Sequence, residues 1–209
     1  MMKLESVGIY DNPCNKQDDE RVIKQFYDTV EIHDHKIFVQ FPWKSNTNQL
    51  ADNYGIALGR LHQLYVGLRN KSEDQWVQYC NIIDDHIRRE IVEEVQPLQK
   101  GHWSRYYMSH QAVFKPSSHT TKCRIVFDAS SKRNGEFSLN DVIHQGPLLL
   151  PNLCGILLRC RVGAKLLTAD VEKAFHMIYL QESERDAVRF LWLKDRRTTL
   201  TEQYANPPI

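Results

Sequence analysis

Lys165 to Leu180, KLLTADVEKAFHMIYL, is the stretch on which the reading of the fold turns. An apolar run stops at a lone carboxylate, Asp170, and a short charged turn separates that carboxylate from Phe175. Alternation over Lys165 to Asp170 predicts a strand with Leu166, Thr168 and Asp170 on one face and Leu167 and Ala169 on the other. A carboxylate delivered to the carboxyl end of a strand suits a metal ligand in two-ion catalysis. It equally suits an N-cap for the VEKAF turn, since an Asp side chain accepts from the first free helical N–H groups.

Upstream, Pro151 is expected to open a helix that carries Leu153, Ile156, Leu157 and Cys160 on one side. Arg159, Arg161 and Lys165 gather at its end, where cations offset the helix dipole or contact phosphate. SLND (Ser138 to Asp141) and QGP (Gln145 to Pro147) bracket a loop. Earlier still, YYMSHQAVFK (Tyr106 to Lys115) and KCRIVFD (Lys122 to Asp128) flank the turn formers PSSHTT, which predicts a hairpin. Period two puts Cys123, Ile125 and Phe127 on one face and Lys122, Arg124, Val126 and Asp128 on the other. The charged face reads either as a solvated edge with Arg124 paired to Asp128 or as a cationic grip for phosphate. Downstream, SERDA (Ser183 to Ala187) suits a helical turn and VRFLW (Val188 to Trp192) a strand.

The first half is helical. Asp52 is placed to cap a helix in which Ala57, Leu58, Leu61, Leu64, Tyr65 and Leu68 recur at three-and-four spacing. Ser72 and Gln75 have the form of a capping box before Trp76, Tyr79, Cys80, Ile83 and Ile87, a second apolar face running to about Arg89. His86 lies beside that face with no second ligand at metal spacing, so it reads as a boundary histidine. Residues 1–35 are polar and read as a loop or extended lead-in, with His33-Asp34-His35 a solvated turn. Lys36 to Phe41 alternates as a strand that Pro42 ends.

Composition agrees with a globular chain: 209 residues, 42% hydrophobic and 25% charged, with four Trp, nine Tyr and eight Phe. The net charge of +1 hides an asymmetry. Residues 1–100 hold 12 Lys and Arg against 16 Asp and Glu, whereas residues 101–209 hold 15 against 10. A basic second half with interleaved aromatics is compatible with a polyanion partner. The N-terminus shows no basic region followed by an apolar run, and Pro147 to Leu158 falls short of the roughly 20 residues of a spanning helix. No membrane association is expected. Cys14, Cys80, Cys123, Cys154 and Cys160 are odd in number and lack C-x-x-C spacing, which suits reduced core thiols of an intracellular protein, cytoplasmic or nuclear and not secreted. The absence of D-[ST]-G, G-x-S-x-G and H-E-x-x-H weighs against common hydrolases.

Taken together, HQAVFKPSSHTTKCRIVFDASSK, SLNDVIHQGP, the LLRCR helix end and LLTADVEKAFHMIYL followed by RDAVRFLW resemble the reverse transcriptase of Bel/Pao-type LTR retrotransposons. LESVGI, Pro42 to Lys44 and DNYGIALGRL are similar to the segment before the polymerase in those polyproteins, and the likeness runs over roughly residues 4–195. It implies an α+β fold of polymerase fingers and palm, with residues 1–50 a linker-like lead-in containing a possible strand, 51–100 a helical segment, 101–195 a partial reverse transcriptase domain and 196–209 a divergent tail.

The same resemblance assigns Asp170 as the catalytic metal-binding aspartate, with the Val171 carbonyl as a further ligand. Two Mg²⁺ ions, or Mn²⁺, about 3.5–4 Å apart would serve the primer 3′-hydroxyl and the leaving pyrophosphate. Phe175 falls where an aromatic excludes the ribose 2′-hydroxyl. Lys115 and Arg124 fall where the fingers meet the triphosphate, and Asp128 would orient them. The partners implied are an RNA or DNA template-primer and a deoxynucleoside triphosphate. The family's second palm motif, an aromatic-x-Asp-Asp hairpin, does not occur after Trp192: Asp18-Asp19 and Asp84-Asp85 are the only Asp pairs. One carboxylate holds Mg²⁺ weakly. The expectation is therefore an incomplete active site, a fragment inactive alone that does not retain the metal pair, or alternatively a non-catalytic nucleic-acid or protein-binding module.

Overall fold

The computed structural model describes residues 16–95, 105–115, 117, 123–171 and 173–193. Helices and small sheets mix in an α+β arrangement, and the chain divides into two units. The first contains residues 16–42 and 144–180 of the described chain; the second contains 43–143 and 181–193.

In the first unit, α1 (Lys16–Thr29) replaces the expected lead-in loop. A helix forms despite the polar composition because no Gly or Pro interrupts residues 14–41. Asp18 and Asp19 sit in the first turn, where the helix dipole favours anions. Arg21–Asp18 at i,i+3 and Lys24–Asp28 at i,i+4 are exposed pairs along the helix, where solvent screens them. Strands β1 (Glu31–His33) and β2 (Lys36–Val39) form an antiparallel hairpin. Asp34 and His35 both take positive φ, 49° and 62°, as a two-residue turn matched to strand twist requires. The expected solvated turn is present, and all three residues His33, Asp34 and His35 are exposed.

β5 (Ile178–Leu180) pairs in parallel with β2, so the sheet order is β1-β2-β5. The predicted strand over Lys165–Asp170 does not form: residues 161–171 are irregular and exposed. A strand is stabilised by a ladder partner, and this segment has none among the described residues. α5 spans Leu153–Cys160, two residues later than Pro151 suggested, because Asn152 is the cap and accepts from the Gly155 N–H at 3.1 Å. None of its residues is buried, so Cys154 and Cys160 are not the core thiols expected from sequence.

All of the buried residues among those described belong to the second unit. α2 (Tyr54–Lys71) begins after Asn53, and Asp52 Oδ1 accepts from the Tyr54 N–H at 2.7 Å. α3 (Glu73–Arg88) follows from Ser72, but the capping hydrogen bond read from Ser72 and Gln75 is not made. The hairpin is formed by β3 (Ser109–Phe114) and β4 (Cys123–Asp128), in register from Ser109 opposite Asp128 to Phe114 opposite Cys123. Leu61 and Leu68 of α2, Trp76, Tyr79 and Cys80 of α3, Cys123 and Leu193 form one apolar cluster. Burying such a side chain contributes about 1.5–3 kcal/mol.

A second cluster joins Leu50, Tyr106, Leu139, Val142 and Ala187. Leu139 and Val142 come from α4 (Leu139–Val142), a helical turn where the sequence suggested loop. Asp141 accepts from the Ser138 N–H at 2.8 Å and from Lys132 Nζ at 2.6 Å. Lys132, followed by the Ser138 donors, holds its carboxyl below the usual carboxylate range. Residues Glu182–Val188 form a 3₁₀ helix, as SERDA suggested. VRFLW is not a strand: Val188 ends that helix, Arg189 makes an isolated bridge to Tyr107, and Phe190 to Trp192 are irregular.

Asn53 ties these pieces together from a site only 1% exposed. Its Nδ2 donates to the carbonyls of Tyr107 (2.8 Å) and Ser131 (3.2 Å), while its Oδ1 accepts from the Tyr107 N–H (2.7 Å). An amide offers two donor hydrogens and an acceptor oxygen on separate atoms, which is what these three bonds use. Nothing in the helical spacing around it marks this duty.

Candidate functional site

The six residues singled out by sequence fall in both units. Lys115, Arg124 and Asp128 belong to the second, and Asp170, Val171 and Phe175 to the first.

Hairpin register settles the first group. Arg124 stands opposite Val113, so Lys115, two residues beyond Val113 and just past the end of β3, shares its face. Diagonal neighbours of this kind lie about 7–8 Å apart, within reach of two long side chains. Both cations are exposed, and neither has an ion-pair partner among the described residues. The opposite face carries Ala112, Phe114, Cys123 and Ile125 into the apolar cluster, so the core fixes which way the cations point.

Asp128 behaves differently. It is not paired with Arg124; its Oδ2 accepts from Arg60 Nη1 of α2 at 2.5 Å and its Oδ1 from the Ser130 N–H at 2.9 Å. The carboxylate thus ties β4 to α2 and to the turn that follows it. Arg60 is a residue that sequence reasoning passed over, since a pairing across so many intervening residues leaves no local pattern.

Beneath the hairpin, His110 makes two hydrogen bonds that fix its tautomer. The Leu191 carbonyl can only accept, so Nε2–H donates to it at 2.9 Å, and Nδ1 accepts from the Tyr79 hydroxyl at 2.6 Å. Phe127, Phe190 and Trp192 surround the ring. Burial pushes the His110 pKa down, opposed by the Leu191 carbonyl, and raises that of the Tyr79 phenol. Burial also pushes the Tyr106 phenol up to about 12. Burial thus favours the neutral form of each group, and they serve as structure.

In the first unit, Asp170 and Val171 are exposed within the irregular segment. Phe175, in the 3₁₀ turn Ala174–Met177, is 92% exposed. Lys173 enters that turn in the left-handed region, at φ 51°. Leu148, Leu149, Leu150, Leu153, Leu167 and Val162 are each exposed by two thirds or more. As a metal centre the donor set is short. The Asp170 carboxylate and the Val171 carbonyl supply at most three oxygens, whereas Mg²⁺ takes near-octahedral coordination. No group of three or more His, Cys, Asp or Glu is gathered for a metal among the described residues. The described residues do not by themselves fit a two-ion centre.

No helix among the described residues is long and apolar enough to cross a membrane. Compared with known proteins, the chain matches no family model, no curated protein and no solved structure.

Proposed function

We propose that this chain is a piece of an RNA-directed DNA polymerase of the reverse transcriptase type, comprising fingers and the first part of a palm. In this reading Lys115 and Arg124 contact the triphosphate or the nucleic-acid backbone, Asp170 is the first catalytic carboxylate, and Phe175 selects deoxynucleotides. The observation that carries it is the hairpin register, which presents Lys115 and Arg124 on one exposed face, unpaired with any described acid. The ordered run of motifs from His110 to Trp192 supports the same reading. A single carboxylate supports a further point: the chain by itself is inactive, because a second acid is needed to hold both ions.

The test is primer extension on an RNA template with Mg²⁺ or Mn²⁺. No extension is expected from this chain alone. Extension that Asp170→Ala abolishes would show that the site is complete after all; extension that Asp170→Ala leaves intact would overturn the assignment of Asp170.

The unpaired cations also favour a second reading, a non-catalytic nucleic-acid-binding module. Binding of a template-primer duplex would then weaken with salt, and Lys115→Ala with Arg124→Ala would shallow the log–log slope by about 2. A slope unchanged by both substitutions rejects that role.

A further inference from the structure

A groove of about 580 Å³ runs between α2 and β3 in the second unit. Its walls include Arg60, Gln63, Gly67 and Lys71 from the helix and Ser109, His110, Gln111 and Ala112 from the strand. Successive strand residues point to opposite faces, so a groove lined by four in a row follows the strand's edge and not a face. That edge is open. β3 and β4 form a two-stranded sheet, and β4 is the only strand laddered with β3 among the described residues.

The helical wall is shaped to leave room. A Cβ added at Gly67, which lines the groove, would meet nothing within 4 Å. Each helical glycine costs about 0.8–1 kcal/mol relative to Ala, and here no close contact inside the protein requires it. Charge gives the groove a polarity. Asp128 lies opposite Ser109 in the ladder and is neutralised by Arg60, so that end offers no net charge. Lys71, eleven residues further along α2, has no ion-pair partner among the described residues. At 1.5 Å per residue it lies roughly 16 Å from Arg60, about the length of five extended residues.

We propose that this groove binds an extended peptide, which adds to the free edge of β3 as a strand and places an acidic side chain at the Lys71 end. An open strand edge is recognised by another main chain, and the side-chain walls select what that chain carries. His110 forms part of the wall only, because Tyr79 and Leu191 already occupy both ring nitrogens. The inference does not depend on the polymerase reading.

The probe is a fluorescein-labelled heptapeptide of alternating Val and Thr with one terminal Glu, titrated by anisotropy with the whole chain. Saturable binding is expected, at least tenfold weaker with Gly67→Leu, which fills the groove while improving helix propensity, so that the variant's melting temperature does not fall. Lys71→Glu should weaken binding similarly, and a peptide ending in Lys should restore it. Peptides N-methylated at alternate residues should split, one phase binding and the other not, because only one set of N–H groups faces β3. Absence of saturable binding, indifference to Gly67→Leu, or equal binding of both methylated phases overturns the proposal. Displacement of the peptide by an oligothymidylate, with Lys71→Glu abolishing binding of both, would make the groove a polyanion site and overturn it as well.

Discussion

Replacing Asn53 by Ala should be among the most damaging single changes in this chain. The substitution leaves both the N–H and the carbonyl of Tyr107 without their side-chain partner, whereas the Ser131 carbonyl keeps the Tyr106 hydroxyl at 2.6 Å. Two main-chain groups are thus stranded, at about 1–3 kcal/mol each, and the loss of stability should be roughly 3–4 kcal/mol. That is a large share of the 5–15 kcal/mol typical of a domain, and at about 4 °C per kcal/mol the melting temperature should fall by more than 10 °C. Asn53→Asp separates the donor from the acceptor role. It keeps the acceptor for the Tyr107 N–H but turns carboxylate oxygen toward two carbonyls, so it should destabilise by a similar amount near neutral pH and recover in part in acid as the carboxyl protonates. Urea titrations at two pH values measure both. A loss below about 1 kcal/mol for Asn53→Ala, or an Asn53→Asp variant as stable as the parent, would refute the claim that this amide holds the unit together.

Two further outcomes are expected. His110 should make stability fall in acid: its pKa is depressed by burial, so its contribution is complete above the unfolded value of about 6.5 and is lost as pH falls through the lower folded value. Melting curves from pH 8 to 5 test this, and the acid loss should shrink in His110→Gln; an undiminished loss would assign it elsewhere. Gly59→Ala should raise stability by about 0.5–1 kcal/mol, because the added methyl meets open space within a helix. A lower melting temperature would show that position 59 is already in contact.

Much of the second unit was legible because its signals are local. The three-and-four spacing from Ala57 to Leu68 and from Trp76 to Ile83 does correspond to buried helix faces. Alternation along Cys123 to Asp128 correctly assigned Arg124 to the exposed side and Cys123 to the core. α1 was hidden because charged residues fill most of its surface, and only Val22, Ile23, Phe26 and Tyr27 carry the period. The reading of Lys165 to Asp170 as a strand had the opposite fault. Its residues are apolar enough, but Leu167 is 93% exposed and no ladder supports the segment, so composition alone did not make a strand. In the candidate site, parity made Lys115 and Arg124 legible, whereas the partner of Asp128 was not, since Arg60 meets it only after the chain has folded back.

Trp43 has a consequence for how the second unit is strung. Its backbone bridges Ile143 and its indole N–H donates to the Glu184 carboxylate at 2.6 Å, so a single residue touches the chain on both sides of the excursion from 144 to 180. The two ends of that excursion are therefore held near each other by the second unit itself. A short flexible linker could join them without pulling on the core. Closing a loop costs only about 0.6 kcal/mol less for each halving of its length, so shortening would change equilibrium stability little. Its larger effect would be kinetic: the mean sequence separation of native contacts would fall, and folding of the second unit should accelerate.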